Sequence, residues 1–139
     1  MIALFVTSGL GIAGTAAAQM NAHRTAAISK VTYTQAVKNA DAQFEIAKDP
    51  CASLSSNAKN VCVKEAKAEL VKGKANAKVD RVASDTDKEA ATKQAEARKD
   101  ASADKREAEL KVAIEKCDAL AGPTKDACVS NAKAQFGQS

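Results

Sequence analysis

Residues 51–70 read CASLSSNAKNVCVKEAKAEL, and residues 117–136 read CDALAGPTKDACVSNAKAQF. Laid over each other from Cys51 and Cys117, the two stretches are identical at 8 of 20 positions. Cys51-x10-Cys62 recurs as Cys117-x10-Cys128. Similarity extends upstream through Phe44/Leu110, Ile46/Val112, Ala47/Ala113 and Asp49/Glu115. The chain therefore carries an internal duplication.

The spacing inside each copy predicts helices. Tyr33, Val37, Ala40, Phe44, Ala47, Cys51 and Leu54 alternate by four and three, a heptad seam. Ser55-Ser56-Asn57 reads as a turn, with Asn57 as N-cap of the next helix. Val63, Ala66, Leu70, Gly73 and Ala77 form a second seam. Folding the chain back about residues 56–57 makes facing positions sum to about 113. Cys51 then meets Cys62, Ala47 meets Ala66, Phe44 meets Leu70, Ala40 meets Gly73, and Val31 meets Val82. The second copy closes about residues 122–123, with Gly122-Pro123 as helix stop and restart. Cys117 meets Cys128, Ala113 meets Ala132, and Leu110 meets Phe136.

Composition explains why such hairpins need staples. Of 139 residues 45% are apolar, but 32 of those 63 are alanine; there is no Trp, one Tyr and three Phe. Such a chain lacks the volume for a thick core with a deep pocket. Small side chains facing each other instead let two helices approach closely, and two disulfides supply the missing stability. The structural disulfides expected are Cys51–Cys62 and Cys117–Cys128, in an oxidising compartment. A four-cysteine metal site needs closely spaced pairs. Here the spacing is Cys51-x10-Cys62-x54-Cys117-x10-Cys128, and the single His23 matches no ligand spacing. A thiol oxidoreductase needs C-x-x-C, which is absent. A metal or redox binder is thus the least favoured reading of the four cysteines.

Ile2 to Ala18 is apolar, uncharged and ends in Ala16-Ala17-Ala18 before Gln19, the pattern of an export signal with a small-x-small cleavage site. No Lys or Arg precedes the apolar run, a departure from the usual signal. The run is short for a membrane span. The net charge of +4 survives cleavage and is uneven. Residues 59–84 carry seven basic and three acidic groups, and residues 85–118 carry eight basic and ten acidic.

Residues 83–109 hold nothing apolar larger than alanine, yet are rich in helix formers. Glu89–Lys93 is a favourable i,i+4 pair and Asp100–Asp104 an unfavourable one. Ser84-Asp85-Thr86-Asp87 offers caps for a fresh helix start. The expectation is a solvent-exposed connecting helix, spanning about 90 Å if continuous from 58 to 118. A frayed linker is the competing form, since unsupported helices are marginal in water. The fold class expected is all-α and extended: two disulfide-stapled antiparallel αα-hairpins joined by a long charged helix. The segments are a signal peptide over 1–18, a first hairpin over 19–84, the connecting helix or linker over 85–109, and a second hairpin over 110–139.

No catalytic constellation, phosphate loop or zinc-protease motif is present, so no enzyme activity and no cofactor are expected. The basic stretch lacks interleaved aromatics, which argues against nucleic-acid binding. Its candidate contacts to an anionic partner are Lys59, Lys64, Lys67, Lys72, Lys74, Lys78 and Arg81.

The repeated pattern carried by Cys51, Leu54, Lys59, Cys62 and Val63, and by Cys117, Leu120, Lys125, Cys128 and Val129, resembles a known group. These are small exported Ala/Lys-rich helical proteins of Gram-negative bacteria, some named TolA-like or cell-envelope biogenesis proteins. The resemblance covers about residues 33–136 and implies a periplasmic helical protein without supplying a mechanism. TolA-like proteins carry a separate C-terminal globular domain, which is not expected here. The function expected is a non-enzymatic structural or interaction protein of the cell envelope. Its partner would be an unknown envelope protein or an anionic envelope polymer, with self-association through helices as a further option. The alternative is a stress-protective hydrophilic protein of the desiccation type, helical only when dried or bound.

Overall fold

A computed structural model describes residues 14–85 and 87–137, with side chains from Lys30 onward. The order is α1 (Gly14–Lys48), a 3-10 helix (Asp49–Ser53), α2 (Ser56–Ala83), α3 (Ala90–Cys117) and α4 (Gly122–Gln135). The described residues contain no strand, and the class is all-α. The expected export segment lies outside the described residues up to position 13; Gly14–Ala18 open α1. No described helix is long and apolar enough to cross a membrane.

Cys51 bonds Cys62 and Cys117 bonds Cys128, with Cα atoms 5.6 and 5.7 Å apart. The two turns share the same backbone form. The Leu54 N–H donates to the Cys51 carbonyl, and the equivalent Leu120 N–H donates to the Cys117 carbonyl. Ser55 and Ala121 are both extended at the helix entry, with φ −124° and −134°. The next residues, Ser56 and Gly122, both turn left-handed, at φ 53° and 57°. Only the second copy places glycine there, so the first bears the steric cost of a Cβ in that region. Ser56→Gly is expected to raise stability by about 0.5–1 kcal/mol, and Gly122→Ala to lower it by about 1 kcal/mol or more. Urea midpoints of the two variants check both signs.

The register of the first hairpin is the expected one at Cys51–Cys62 and at Ala40–Gly73. Val31 does not meet Val82 as expected: nine positions before Ala40 it has turned to the opposite side of α1 and is 70% exposed. A Cβ built on Gly73 would lie 3.0 Å from the Cβ of Ala40, so the helices approach closely where alanine faces glycine. Beside this contact Lys74 pairs with Asp41 at 2.7 Å, and the Arg81 guanidinium sits 5.2 Å from the centre of the Tyr33 ring. Asn57 does not cap α2. Ser55 holds the N-cap position, and Asn57 Nδ2 donates instead to the Glu115 carbonyl at 2.8 Å. That carbonyl, in the last turn of α3, also accepts from the Asp118 N–H at 3.1 Å, so Asn57 adds a second donor to it.

The connecting segment is not a free-standing rod. The helix breaks over residues 84–89, and α3 runs back antiparallel along α2. Two causes act together. Asp87 gives α3 a start: its carboxylate accepts from the Glu89 N–H at 3.0 Å and from Lys93 Nζ at 2.6 Å. Then Ala97, Ala101 and Ala108 provide a smooth face that buries to 3, 3 and 8% exposure. Large apolar side chains are indeed missing over 83–109, but alanine is enough when its partner is also alanine. Ala68 and Ala75 of α2 are buried on the side opposite to Ala66, Gly73 and Ala77. α2 therefore lies between α1 and α3, which do not touch each other among the described residues, and α4 packs on α3 alone. Both turns and both disulfides end up at the same end of the molecule. The most completely buried side chains are Cys51 and Cys117.

The Asp87 contacts have a pH consequence. Lys93 holds the Asp87 carboxyl below its ordinary value, and Asp87 in turn raises Lys93. Lys111 likewise lowers Glu107. A depressed carboxyl adds stability that is present above its unfolded pKa, about 3.9 for Asp, and is lost as pH falls through the folded value. The Asp87 carboxyl is therefore expected to titrate below the ordinary aspartate value, and to return towards it in Lys93→Met. Carbon-detected carboxylate shifts in an acid titration measure this. An unchanged Asp87 midpoint in that variant would remove the lysine as the cause.

Candidate interaction surface

With α1 and α3 on its two flanks, α2 turns its remaining two faces to solvent, and each is the floor of a groove. On one face Lys64, Lys67, Lys74 and Lys78 follow one another at helical spacing, with Val71 in the middle. Ala68, Ala75 and Ala108 complete the floor, Tyr33 of α1 closes one side, and α3 adds Lys111, Asp104 and Glu107. The groove encloses about 560 Å³. Its lining holds five lysines against two carboxylates, a balance of +3.

The lysines are tied to their surroundings to different degrees. Lys74 reaches Asp41 at 2.7 Å, Lys78 reaches Asp100 at 3.0 Å, and Lys111 reaches Glu107 at 2.6 Å. Lys64 stands 4.0 Å from Glu115, and Lys67 has no ion pair among the described residues. The hydrogen bond that Lys78 donates to Asp100 raises the Lys78 pKa, so this cation stays protonated well past neutrality. The four paired lysines are 43–60% exposed, where solvent screening leaves an ion pair weak. Such a pair exchanges readily for a stronger anion.

The opposite groove encloses about 650 Å³ and has a different character. Ala66, Val112, Ala113 and the half-buried Phe136 form an apolar floor. Lys72 is held there between Glu69 and Glu109, both at 3.0 Å, and its pKa is raised by these two hydrogen bonds, Glu69 first. Lys116 pairs with Glu65 at 2.7 Å. Glu65, Glu69 and Glu109 against Lys72 and Lys116 give a balance of −1.

The seven basic residues singled out in the sequence thus separate. Lys64, Lys67, Lys74 and Lys78 share one groove. Lys72 lies on the other face, bound between two glutamates. Arg81 covers Tyr33, and Lys59 is exposed near the turn with no ion pair among the described residues. Sequence reasoning missed Lys111 and Tyr33, which reach this groove only because α1 and α3 flank α2. Among the described residues no cluster of His, Cys, Asp and Glu is placed to hold a metal ion, and no cysteine is free. No protein-family profile, curated protein or solved structure matches the chain.

Proposed function

We propose that the chain is a non-enzymatic interaction module of the bacterial cell envelope, exported to the periplasm, that holds an extended anionic polymer along its lysine-lined groove. The observation that carries this reading is the alignment of Lys64, Lys67, Lys74, Lys78 and Lys111 around a shallow floor of alanine and valine. From Lys64 to Lys78 the line runs about 21 Å along α2. A linear polymer with repeated carboxylates or phosphates matches that form. The two closed disulfides suit an oxidising compartment. The resemblance to exported Ala/Lys-rich envelope proteins points the same way.

Fluorescein-labelled polygalacturonate titrated into the oxidised protein tests the partner. Binding is expected to weaken steeply with salt and to fall several-fold in Lys67→Glu, whose side chain has no ion pair among the described residues to lose. Binding that ignores both salt and Lys67→Glu would remove the groove from the account. Circular dichroism in dilute buffer separates the stress-protective alternative. The stapled module is helical there, whereas a desiccation-type chain gains its helix only on drying or in trifluoroethanol. Recovery in the osmotic-shock fraction of the expressing cell tests the location.

A further inference from the structure

Val31 and Ile46, at 70 and 72% exposure, are the most exposed of the large apolar side chains described. Both lie on α1, 15 positions apart, on the side turned away from Ala40 and α2. The duplication says what this face is. In the alignment that lays Cys51 on Cys117, Val31, Gln35, Ala42 and Ile46 fall on Ala97, Ala101, Ala108 and Val112. In the second copy these positions form the face that α2 covers, with the three alanines almost fully buried. α1 leaves open the face that its own duplicate buries.

We propose that α1 pairs through this face with α1 of a second copy of the chain, antiparallel, about a two-fold axis between residues 38 and 39. Val31 of each copy then meets Ile46 of the other, and Gln35 meets Ala42. A self-complementary patch of this kind closes with two chains. Head-to-tail stacking of α4 on α1 would continue the duplication, but α4 has lost what locks α2 to α3. Its counterparts of Asn57, Lys64 and Glu65 are Pro123, Ser130 and Asn131, which provide neither the amide donor nor the two charges of the contacts to Glu115 and Lys116. The apolar stripe is only about 22 Å long, and Lys38 sits beside the axis. The pair therefore belongs with small, exchanging interfaces, its polar central position fixing register at a cost in strength.

Sedimentation of the oxidised full chain over a concentration series is expected to show the mass rising from one chain towards two. Val31→Glu and Ile46→Glu should each weaken the association about tenfold or more, with helicity unchanged because both side chains are exposed. Under mild oxidation Lys38→Cys is expected to crosslink to itself. Gln35→Cys should not, since antiparallel pairing sets its two copies about 10 Å apart along the axis. A single-chain mass at every concentration would overturn the proposal. So would a dimer indifferent to Ile46→Glu, or one that crosslinks through Gln35→Cys in preference to Lys38→Cys.

Discussion

Cys117→Ala/Cys128→Ala is expected to release α4 while leaving the other three helices in place. α4 has 14 residues, packs only on α3 among the described elements, and buries one side chain, Ala132. An isolated helix of that length is marginal in water. Closing a loop of about 12 residues is worth about 3 kcal/mol in the chain-entropy estimate, and almost nothing else holds α4 down. Its amides should therefore exchange about a hundredfold faster in the variant, and helicity should drop by roughly the share of those residues. α2 and α3 should keep their protection, because their alanine seam and its flanking ion pairs do not involve this bond. The matching change in the first copy acts differently. Cys51 and Cys62 staple α1 to α2, which also share the Ala40–Gly73 contact, the Lys74–Asp41 pair and the Arg81–Tyr33 contact. Cys51→Ala/Cys62→Ala should lower the stability of the whole unit by a similar amount, with a lower melting temperature and no selective loss. Hydrogen exchange resolved by segment distinguishes the two patterns. Equal, uniform loss from both variants would show that α4 is coupled to the body more tightly than its contacts allow.

The contrast between the two hairpins follows what was readable in the letters. Cysteine spacing and the similarity of residues 51–70 to 117–136 specified both turns, both disulfides and the facing of Ala40 with Gly73, since each relies on residues of distinctive chemistry. The packing of α3 on α2 was not readable in the same way. Its face is Ala97, Ala101 and Ala108 set among charges, and alanine is so common in this chain that its spacing carries little signal. The only advance trace was the cap cluster at 84–87, whose Asp87 does start α3. The groove was half legible. Helical spacing alone places Lys64, Lys67, Lys74 and Lys78 on one face and Lys72 on another, but Tyr33 and Lys111 enter through tertiary packing. Asn57 shows a further limit: a good capping residue was used for a bond across helices, because the end of α3 lay within its reach.

Gly73→Leu is expected to be the most damaging single substitution in the first hairpin, costing about 2 kcal/mol or more by overpacking. It does so although it replaces a helix-breaking residue with a helix-forming one. Two effects oppose each other here. Removing glycine from a helix interior favours the helix by about 1 kcal/mol. Against that, even a bare Cβ meets the Ala40 Cβ at 3.0 Å, and Ala40 has no rotatable side chain with which to yield. For Gly73→Ala a shift of a few tenths of an ångström suffices, and the two effects should nearly cancel. Leucine adds three further carbons, and only separation of α1 from α2 makes room for them. α2 has no freedom to retreat, because α3 occupies its far side through Ala68 and Ala75. Overpacking of this kind costs about 1–3 kcal/mol, occasionally more. The displaced α1 also loses the Lys74–Asp41 pair and the Arg81–Tyr33 contact. Urea unfolding followed by circular dichroism gives the magnitudes, and Gly73→Ala combined with Ala40→Gly tests the cause. If close approach is the constraint, the swapped pair recovers the packing, with a coupling above about 0.5 kcal/mol between the two positions. A stabilising Gly73→Leu would mean that α1 and α2 are not held together at this contact, and the register set by Ala40 facing Gly73 would have to be abandoned.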